Sequence, residues 1–420
     1  MPGKTISEKI LSAKSGVDAR AGDVVVCRAD YALGTDGSTP MALDYFAAMG
    51  GERVHGPGRM VFALDHYAPA PSRATAVLHQ RMREFAGRHG IPLYDVGEGI
   101  GHQLIVESGR ALPGGLVVGA DSHSVTYGAL NCFGTGIGSS DLAAILMSGE
   151  IWLRIPESIR VNLTGRLPDG VYPKDAALEL ARRLGADGAT YRAIEFAGDG
   201  VAWLDLEDRL VLSNLTVEMG AKAGMFPADE RTFAYLEGRA STPFEPVHPD
   251  PDASYCREIS IALDGLAPLV ALPHLVDRVE PVHCAAGTPV QMVYLGTCTG
   301  GRVRDFHQAR DILKAAGGVA PGVQLVVTPA SREVLDALAR DGTLAEFIGM
   351  GAVIGTPGCG SCCGTCGAIP GDGVNVISTA NRNFKGRMGN GSASIYLASP
   401  ASCAAAAARG AITDPREIGS

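Results

Sequence analysis

The sequence has no long apolar run. Its apolar stretches are short, such as the alanine-rich one near residues 404–408, whereas a membrane-spanning helix needs about 20 apolar residues. Residues 1–9 contain no apolar core of the kind that defines a signal peptide. We therefore expect that the protein does not associate with a membrane and that it is cytoplasmic.

Charged residues and cysteines are also scarce. Charged residues make up 19% of the chain and the formal net charge is −9, which argues against nonspecific binding to nucleic acid. Ten cysteines in 420 residues are too few for a scaffold held by disulfides. Hydrophobic residues, at 46%, are abundant enough to exclude disorder and, over this length, to build two or three domains.

The cysteines that are present are concentrated. Cys298 lies in a glycine-rich segment, and Cys359, Cys362, Cys363 and Cys366 fall within eight residues. A Cys-x-x-Cys pair with a distant third cysteine, each in a glycine-rich turn, suits an iron–sulfur cluster held by three thiolates. In a four-iron cluster this leaves one iron free to bind a hydroxyl as a Lewis acid. We predict a [4Fe-4S] cluster on Cys298, Cys359 and Cys362.

Two other interpretations of the cysteines stay open. Four thiolates from residues 359–366 could close a tetrahedral zinc site, although adjacent cysteines are awkward ligands for one ion and Cys298 would have no role. Cys363 and Cys366 are otherwise interpreted as small buried side chains. The five remaining cysteines are scattered and are expected to be structural.

Short β-branched runs alternate with helical stretches, which predicts an α/β fold with parallel βαβ units. Strands are predicted at Asp23–Cys27, Met60–Leu64, Gly115–Val118, Ser158–Leu163, Gln291–Leu295 and Val323–Val327. Helices are predicted at Met41–Ala48, Arg73–Arg88, Asp141–Met147 (with Ser139 and Ser140 as possible caps), Lys174–Leu184, Val303–Ala315, Arg332–Asp341 and Ala401–Arg409. We expect three α/β domains around a central cluster-binding cleft, at residues 1–157, 158–283 and 284–420, the last carrying the cluster cysteines.

Polar residues follow two of these strands. Asp65 and His66 come after one strand, and Asp121, Ser122 and His123 come after another. Each residue alone would be an ordinary polar group at a strand end, and adjacent Asp and His side chains do not face one another on a regular strand. Ligands of open α/β sheets bind at the carboxyl ends of strands, so the repeated placement indicates a site.

A series of motifs runs almost from end to end of the chain. They are Phe62–His66, Gly99–His102, Gly119–Ser124, Gly134–Gly138, Ser213–Ala221, Gly296–Thr299, Cys359–Cys362, Ser378–Gly389 and Tyr396–Pro400. In this ordered set the chain resembles the large subunits of the two-subunit aconitase family, with the layout of 3-isopropylmalate dehydratase and homoaconitase. The resemblance implies the aconitase large-subunit fold. It also implies a hydro-lyase or isomerase that dehydrates and rehydrates a malate-type hydroxy-diacid, 3-isopropylmalate-like.

The resemblance also implies roles for single residues. His66 would protonate the departing hydroxyl and Asp65 would orient it. The other catalytic residues that it implies are His102, Asp121, His123 and Glu218. The implied substrate-binding residues are Thr35, Ser122, Asn214, Arg382 and Arg387, with the two arginines at the substrate carboxylates. Asn381 and Asn383 would orient the loop or the cluster.

The family needs a separate swivelling domain that supplies a serine base and further arginines. Because the chain ends where large subunits end, the resemblance implies a small partner subunit with that domain. Three positions depart from the family pattern, with Gly300 for asparagine, Cys363 for leucine and Cys366 for histidine, and they hint at an unusual substrate.

Rival functions are also open. In the same family they are homoaconitase, dimethylmalate dehydratase and maleate or citraconate hydratase. Outside catalysis, they are a metal-sensing or RNA-binding relative and a zinc-stabilised scaffold, of which the RNA-binding function is disfavoured by the acidic balance.

Overall fold

The computed structural model describes residues 3–418. Along the chain it forms three α/β units, each built on a sheet that is wholly or mainly parallel, as the predicted α/β class requires. No helix in this part of the chain is both long and apolar enough to cross a membrane.

The first unit is a parallel sheet with helices. Its strands are β1 (Val24–Arg28), β2 (Tyr31–Thr35), β3 (Met60–Ala63), β4 (Leu93–Tyr94), β5 (Leu116–Gly119), β6 (Phe133–Gly136) and β7 (Glu150–Arg154). Its helices are α1 (Ile6–Ser15), α2 (Thr39–Ala48), α3 (Arg73–His89), α4 (Gly101–Glu107) and α5 (Ser139–Ser148). The sheet has the strand order β4-β3-β2-β5-β6, and all its pairs are parallel.

One strand of the first unit pairs differently from the expected parallel units, and one predicted helix cap was wrong. The strand predicted at Asp23–Cys27 exists as β1, but it pairs antiparallel with β7 outside the parallel sheet. Both strands expose every second residue, so they form a ribbon with one buried face. Ser139 and Ser140 do not cap α5, because the helix begins at Ser139 and its cap is Gly138. The Asp141 carboxylate accepts the Gly138 N–H instead.

The second unit is a smaller parallel sheet of four strands. Its elements are β8 (Ser158–Thr164), α6 (Pro173–Leu184), β9 (Ala193–Ala197), α7 (Leu206–Leu215), β10 (Ala223–Met225), α8 (Glu230–Leu236) and β11 (Arg257–Ala262). The strand order is β10-β9-β8-β11. Residues 238–255 contain no helix or strand, as their prolines predict.

The third unit has a seven-stranded sheet with the order β13-β12-β18-β17-β14-β15-β16. Its strands are β12 (Leu269–Ala271), β13 (Val279–Pro281), β14 (Met292–Leu295), β15 (Gln324–Val327), β16 (Val353–Ile354), β17 (Asn375–Ser378) and β18 (Ser394–Ala398). Its helices are α9 (Val303–Ala316), α10 (Arg332–Arg340), α11 (Thr343–Gly349) and α12 (Pro400–Arg409). Because β12 and β13 belong to this sheet, its first strand precedes the expected domain start at residue 284.

Candidate active site

The carboxyl ends of three neighbouring strands bring acidic residues together. Strands β3, β2 and β5 lie side by side in parallel. Asp36 directly follows β2, while Asp65 and Asp121 come two residues after β3 and β5. Because parallel strands end at the same edge of a sheet, these three carboxylates meet there.

His66 lies among these three carboxylates. Its Nδ1 is 2.7 Å from Asp65 Oδ1, and its Nε2 is 3.2 Å from Asp121 Oδ2. Its backbone N–H donates to Asp36 at 2.9 Å. Burial opposes charge on the imidazole, but Cys359 and the two ring-bonded carboxylates raise the pKa of His66 well above its ordinary value. The ring is therefore held as a proton donor.

Asp121 is the centre of the histidine network. Its Oδ1 lies 2.9 Å from His102 Nε2 and accepts the backbone N–H of His123 at 2.8 Å. On its other side, the His102 ring has Nδ1 3.0 Å from the Tyr127 hydroxyl. Burial alone would raise the pKa of Asp121, but His102, His123 and His66 hold it well below its ordinary value. The carboxylate thus stays ionised and orients three imidazoles.

The network continues into the second and third units. His123 Nε2 lies 3.0 Å from Glu218 Oε1. Arg382 donates from Nε to both Glu218 oxygens, at 2.8 and 2.9 Å, and from Nη2 to Ser122 Oγ at 2.8 Å. Burial would raise the pKa of Glu218, but His123 and Arg382 lower it. One connected network therefore contains residues from all three units.

Two amide donors from other segments of the chain face the sulfur of Cys298. Thr297 has a φ of 71°, in the left-handed region that disfavours residues other than glycine. Asn214 Nδ2 lies 3.1 Å and Asn381 Nδ2 lies 3.4 Å from Cys298 Sγ. The two amides also bond one another. Donors aimed at a buried sulfur favour its thiolate form.

The Cys359–Cys362 turn faces the same region. The Cys359 N–H donates to the Asp65 carbonyl at 2.9 Å, and Arg387 Nη2 lies 3.6 Å from Cys362 Sγ. Cys298 and Cys359 pack in one small group, and the Cys362 N–H donates to the Cys359 carbonyl at 3.2 Å. The three predicted ligands therefore line one region beside the histidine network.

The spacing of the sulfurs is unsuited to the zinc alternative. A zinc ion with Zn–S bonds of about 2.3 Å holds its four sulfurs within about 4 Å of one another. Among the residues that the structure describes, no three of the sulfurs of Cys359, Cys362, Cys363 and Cys366 lie within 4.8 Å of one another. A four-iron cluster spreads its thiolates more widely, because each ligand binds a different iron.

The charges around the sulfurs also fit an anionic group. Burial raises the pKa of the Cys298 thiol to about 11, and such a thiol loses its proton when it binds a metal. The Nε of Arg387 is buried without a hydrogen-bond partner, so a donor beside Cys362 is left over for an anion. The residues present therefore fit an iron–sulfur cluster.

Cys363 and Cys366, which depart from the family pattern, connect the Cys359–Cys362 turn to His66. The sulfurs of Cys363 and Cys366 lie 3.3 and 3.2 Å from the His66 carbonyl oxygen. Thr365 Oγ1 donates to the same oxygen at 2.9 Å. These three contacts fix the distance between the predicted proton donor and the cysteine turn.

The third departure, Gly300, has a steric reason. A Cβ at this position would lie 2.4 Å from Thr379 Cβ, closer than packed side chains tolerate. Thr379 in turn accepts the Gly296 N–H through its hydroxyl at 3.0 Å. The position of Thr379 therefore excludes a side chain at residue 300.

Two residues implied by the resemblance lie at the margin of the site. Thr35 is buried at the end of β2, with its hydroxyl 3.2 Å from Ser38 Oγ; contact with a substrate stays a prediction. Asn383 donates to the Leu272 carbonyl at 2.8 Å, away from the sulfurs, so of the two asparagines only Asn381 contacts a predicted ligand.

Sequence reasoning missed two residues that hydrogen-bond the histidines, Asp36 and Tyr127. Asp36 bonds both the His66 backbone and the His79 ring, the latter at 2.9 Å, and Tyr127 bonds His102. Asp36 follows strand β2, which has the sequence Tyr-Ala-Leu-Gly-Thr and lacks a β-branched run. With β2 recognised, the placement of Asp36 would have matched that of Asp65 and Asp121.

Comparisons with known proteins place the chain in a family. The model of the aconitase family (aconitate hydratase) matches residues 8–287 and 279–410. The chain is 46% identical over 415 residues to 3-isopropylmalate dehydratase large subunit 1 of Methanopyrus kandleri, covering 99% of both chains. The chain belongs to the aconitase family. This membership confirms the predicted family and the predicted hydro-lyase class.

Two further relatives of this aconitase-family chain carry the two names predicted from the motifs. It is 47% identical over 421 residues to 3-isopropylmalate dehydratase large subunit 1 of Thermotoga maritima, covering 99% of this chain and all of that one. It is 46% identical over 421 residues to the homoaconitase large subunit of Thermus thermophilus, covering 99% and 98%. These near-equal identities do not separate the two names.

A solved structure supports the fold. Aconitase X of Thermococcus kodakaraensis, in its holo-form, superposes with a TM-score of 0.51 at 11% identity, covering 90% of this chain and 88% of that one. At this identity the likeness concerns the fold alone.

Proposed function

We propose that this chain is the large, cluster-bearing subunit of a hydro-lyase that moves a hydroxyl group on a malate-type hydroxy-diacid, with 3-isopropylmalate as the nearest model. The observation that carries the proposal is the setting of His66. Its ring lies between Asp65 and Asp121. A ring nitrogen of His66, a carboxylate oxygen of Asp65 and the sulfur of Cys359 all lie within 4.8 Å of one another. An acid group thus stands beside a predicted cluster ligand.

Cys298, Cys359 and Cys362 would hold a [4Fe-4S] cluster. With only three protein ligands, the bound cluster supplies one open iron as a Lewis acid for the substrate hydroxyl. Asn214 and Asn381 steady the first thiolate through their amide groups. Arg387 offers a donor to the Cys362 sulfur.

His66 would deliver the proton that the departing oxygen needs. The Asp65 carboxylate fixes the ring through Nδ1, so Nε2 is the atom that can give its proton away. Asp121 holds Nε2 at 3.2 Å, a long contact that a substrate oxygen can replace. General acid catalysis of this kind contributes about 10²–10⁴-fold to a rate.

The arginines would hold the substrate carboxylates. The guanidinium of Arg382 is fixed by Glu218 and Ser122, while Arg387 has a buried donor without a partner. A planar guanidinium binds a carboxylate through two parallel hydrogen bonds, which sets position as well as charge. We assign the binding of substrate carboxylates in this chain to this pair of arginines.

A small partner subunit would complete the site. By family resemblance it brings a swivelling domain with a serine base for the C–H proton and further arginines for the other end of the substrate. The large-subunit names of the relatives support this assembly. All ten cysteines are free, and unpaired thiols favour our assignment to a reducing cytoplasm.

The test is anaerobic reconstitution with iron and sulfide, with and without a small subunit of the same family. We expect brown protein, with turnover of 3-isopropylmalate or homoaconitate, assayed in parallel, only when both subunits are present. Replacing Cys298, Cys359 or Cys362 with serine should abolish the colour, whereas Cys256→Ser, an exposed cysteine of the second unit, should keep it. Colourless wild-type protein, or full turnover by the isolated chain, would overturn the proposal.

A further inference from the structure

A buried lysine lies behind the cluster site without an acidic partner. Lys174 is 1% exposed, and its Nζ bonds three uncharged oxygens, those of Thr299 Oγ1, the Thr379 carbonyl and the Ala380 carbonyl, at 3.2, 3.1 and 2.7 Å. Within residues 3–418, no carboxylate oxygen lies within 4.0 Å of Lys174 Nζ, the distance that defines an ion pair. A buried charge without a counter-ion is costly.

The place of Lys174 on its helix adds to that cost. It is the second residue of α6, and the positive end of the helix dipole disfavours a cation there. The neighbouring Asp175 does not compensate it by contact, because its carboxylate accepts the N–H groups of Leu269 and Tyr172. Some other negative group must therefore balance the ammonium.

The three oxygens that bind Lys174 belong to the two loops that carry the site. Thr299 directly follows Cys298, and Ala380 directly precedes Asn381, whose amide contacts the Cys298 sulfur. The Thr299 hydroxyl also lies 3.1 Å from Asn381 Oδ1. One side chain of the second unit thus ties together both loops of the third unit.

The position of Lys174 identifies its counter-charge. Its Nζ bonds the hydroxyl of Thr299, the residue directly after Cys298, and the carbonyl of Ala380, the residue directly before Asn381, whose Nδ2 lies 3.4 Å from the Cys298 sulfur. In agreement, burial lowers the pKa of Lys174 to about 8, and Cys298 is the first of the influences that oppose this. The negative charge placed beside the ammonium is therefore that of the cysteine sulfurs once they bind a metal group.

We propose that Lys174 is a positioning residue, whose ammonium is the buried counter-charge of the cluster thiolates and fixes the Cys298 turn against the Asn381 loop. This inference rests on the proposed function, because it needs the cluster to be present. A fixed positive charge beside the cluster favours its more reduced, more negative state, so it raises the reduction potential. It also slows the loss of iron by holding the first ligand in place.

The experiment compares Lys174→Met, Lys174→Arg and wild type after anaerobic reconstitution. The control is Lys222→Met, which removes a half-buried lysine of the same unit that bonds the Gly136 carbonyl. The readouts are the midpoint potential of the cluster, from a redox titration followed by electron paramagnetic resonance, and the rate of iron loss to a ferrous chelator. Circular dichroism checks folding.

We expect Lys174→Met to shift the midpoint potential to a more negative value and to lose iron about 10–100-fold faster. Lys174→Arg should keep a potential near that of wild type, and Lys222→Met should change neither quantity. If Lys174→Met does not fold, Lys174→Gln, which keeps a donor without the charge, gives the same comparison.

The possible failures are distinct. Suppose that the wild-type chain binds the cluster, and that Lys174→Met or Lys174→Gln has the same midpoint potential and the same rate of iron loss as wild type. This result would overturn this inference alone. A wild-type chain that binds no cluster would overturn the proposed function and this inference with it.

Discussion

His66 Nδ1 lies 2.7 Å from Asp65 Oδ1, although the two residues are neighbours in the chain. Adjacent side chains point to opposite faces of a regular strand, but β3 ends at Ala63. Beyond it, Asp65 is fixed by the N–H of Gly101 on its Oδ2 at 2.7 Å and by the N–H of Cys359 on its carbonyl at 2.9 Å. The end of the strand thus converts a sequence pair into a contacting pair.

The first prediction concerns this pair. Asp65→Asn keeps the size of the side chain but removes the charge that stabilises the His66 imidazolium. We expect kcat to fall about 10²–10⁴-fold while KM and the iron content stay near wild type. The control is Asp95→Asn, an aspartate paired with Arg83 outside the site. An unchanged kcat in Asp65→Asn would contradict the assignment.

The second prediction concerns carboxylate binding. Arg387→Lys keeps the charge but loses the forked donor geometry. We expect KM to rise about 10–100-fold, since a hydrogen bond to a charged group is worth about 1.5–3 kcal/mol. Steady-state kinetics of the two-subunit enzyme measures this, with the exposed Arg340→Lys as control. If Arg387→Lys has the KM of wild type, Arg387 does not bind the substrate carboxylate.

The third prediction uses the contact between Gly300 and Thr379. Gly300→Ala should lower the stability by about 1–3 kcal/mol, because its Cβ overlaps Thr379. Gly349→Ala is the matched control, because nothing lies within 4 Å of a Cβ at that position, which is in helix α11. Denaturant unfolding of both variants gives the comparison, and equal stabilities would mean that Thr379 moves aside at little cost.

The fourth prediction is a pH dependence of stability. Burial raises the pKa of Asp175 from 3.8 to about 7. The folded chain therefore keeps this proton to a higher pH than the unfolded chain does. The stability from this group is fully present below about pH 4 and is lost as the pH rises through about 7, at about 1.4 kcal/mol per pKa unit.

Asp175→Asn isolates this effect, since an amide does not titrate. Urea unfolding at intervals between pH 4 and pH 7 should show a flatter slope of unfolding free energy against pH in the variant than in wild type. Identical slopes would mean that Asp175 titrates as it does in the unfolded chain.

Much of the site could be predicted from local sequence, because its residues sit in short motifs after strands. Asp65, Asp121 and Cys298 all follow strands that short apolar runs define. Contacts across the units could not be predicted this way. Lys174 lies 125 residues before Thr299, and nothing in its own segment distinguishes it from a surface lysine on an amphipathic helix.

The limits of the fold prediction have the same origin. Strand β1 was found, but its antiparallel partner β7 is a distant segment of the chain. Strand β12 lies between two units in the chain, and only its pairing with β18 assigns it to the seven-stranded sheet. Sheet membership is a long-range property that local pattern does not encode.

The proposed function depends most on a cluster with one iron that lacks a protein ligand. The direct measurement is Mössbauer spectroscopy of the chain reconstituted anaerobically with ⁵⁷Fe, before and after substrate is added in the presence of the small subunit. We expect a four-iron cluster in which one iron site alone changes its signal on addition of substrate. Reconstituted protein without inorganic sulfide would contradict this expectation, as would a cluster in which no iron site changes its Mössbauer signal when substrate is added.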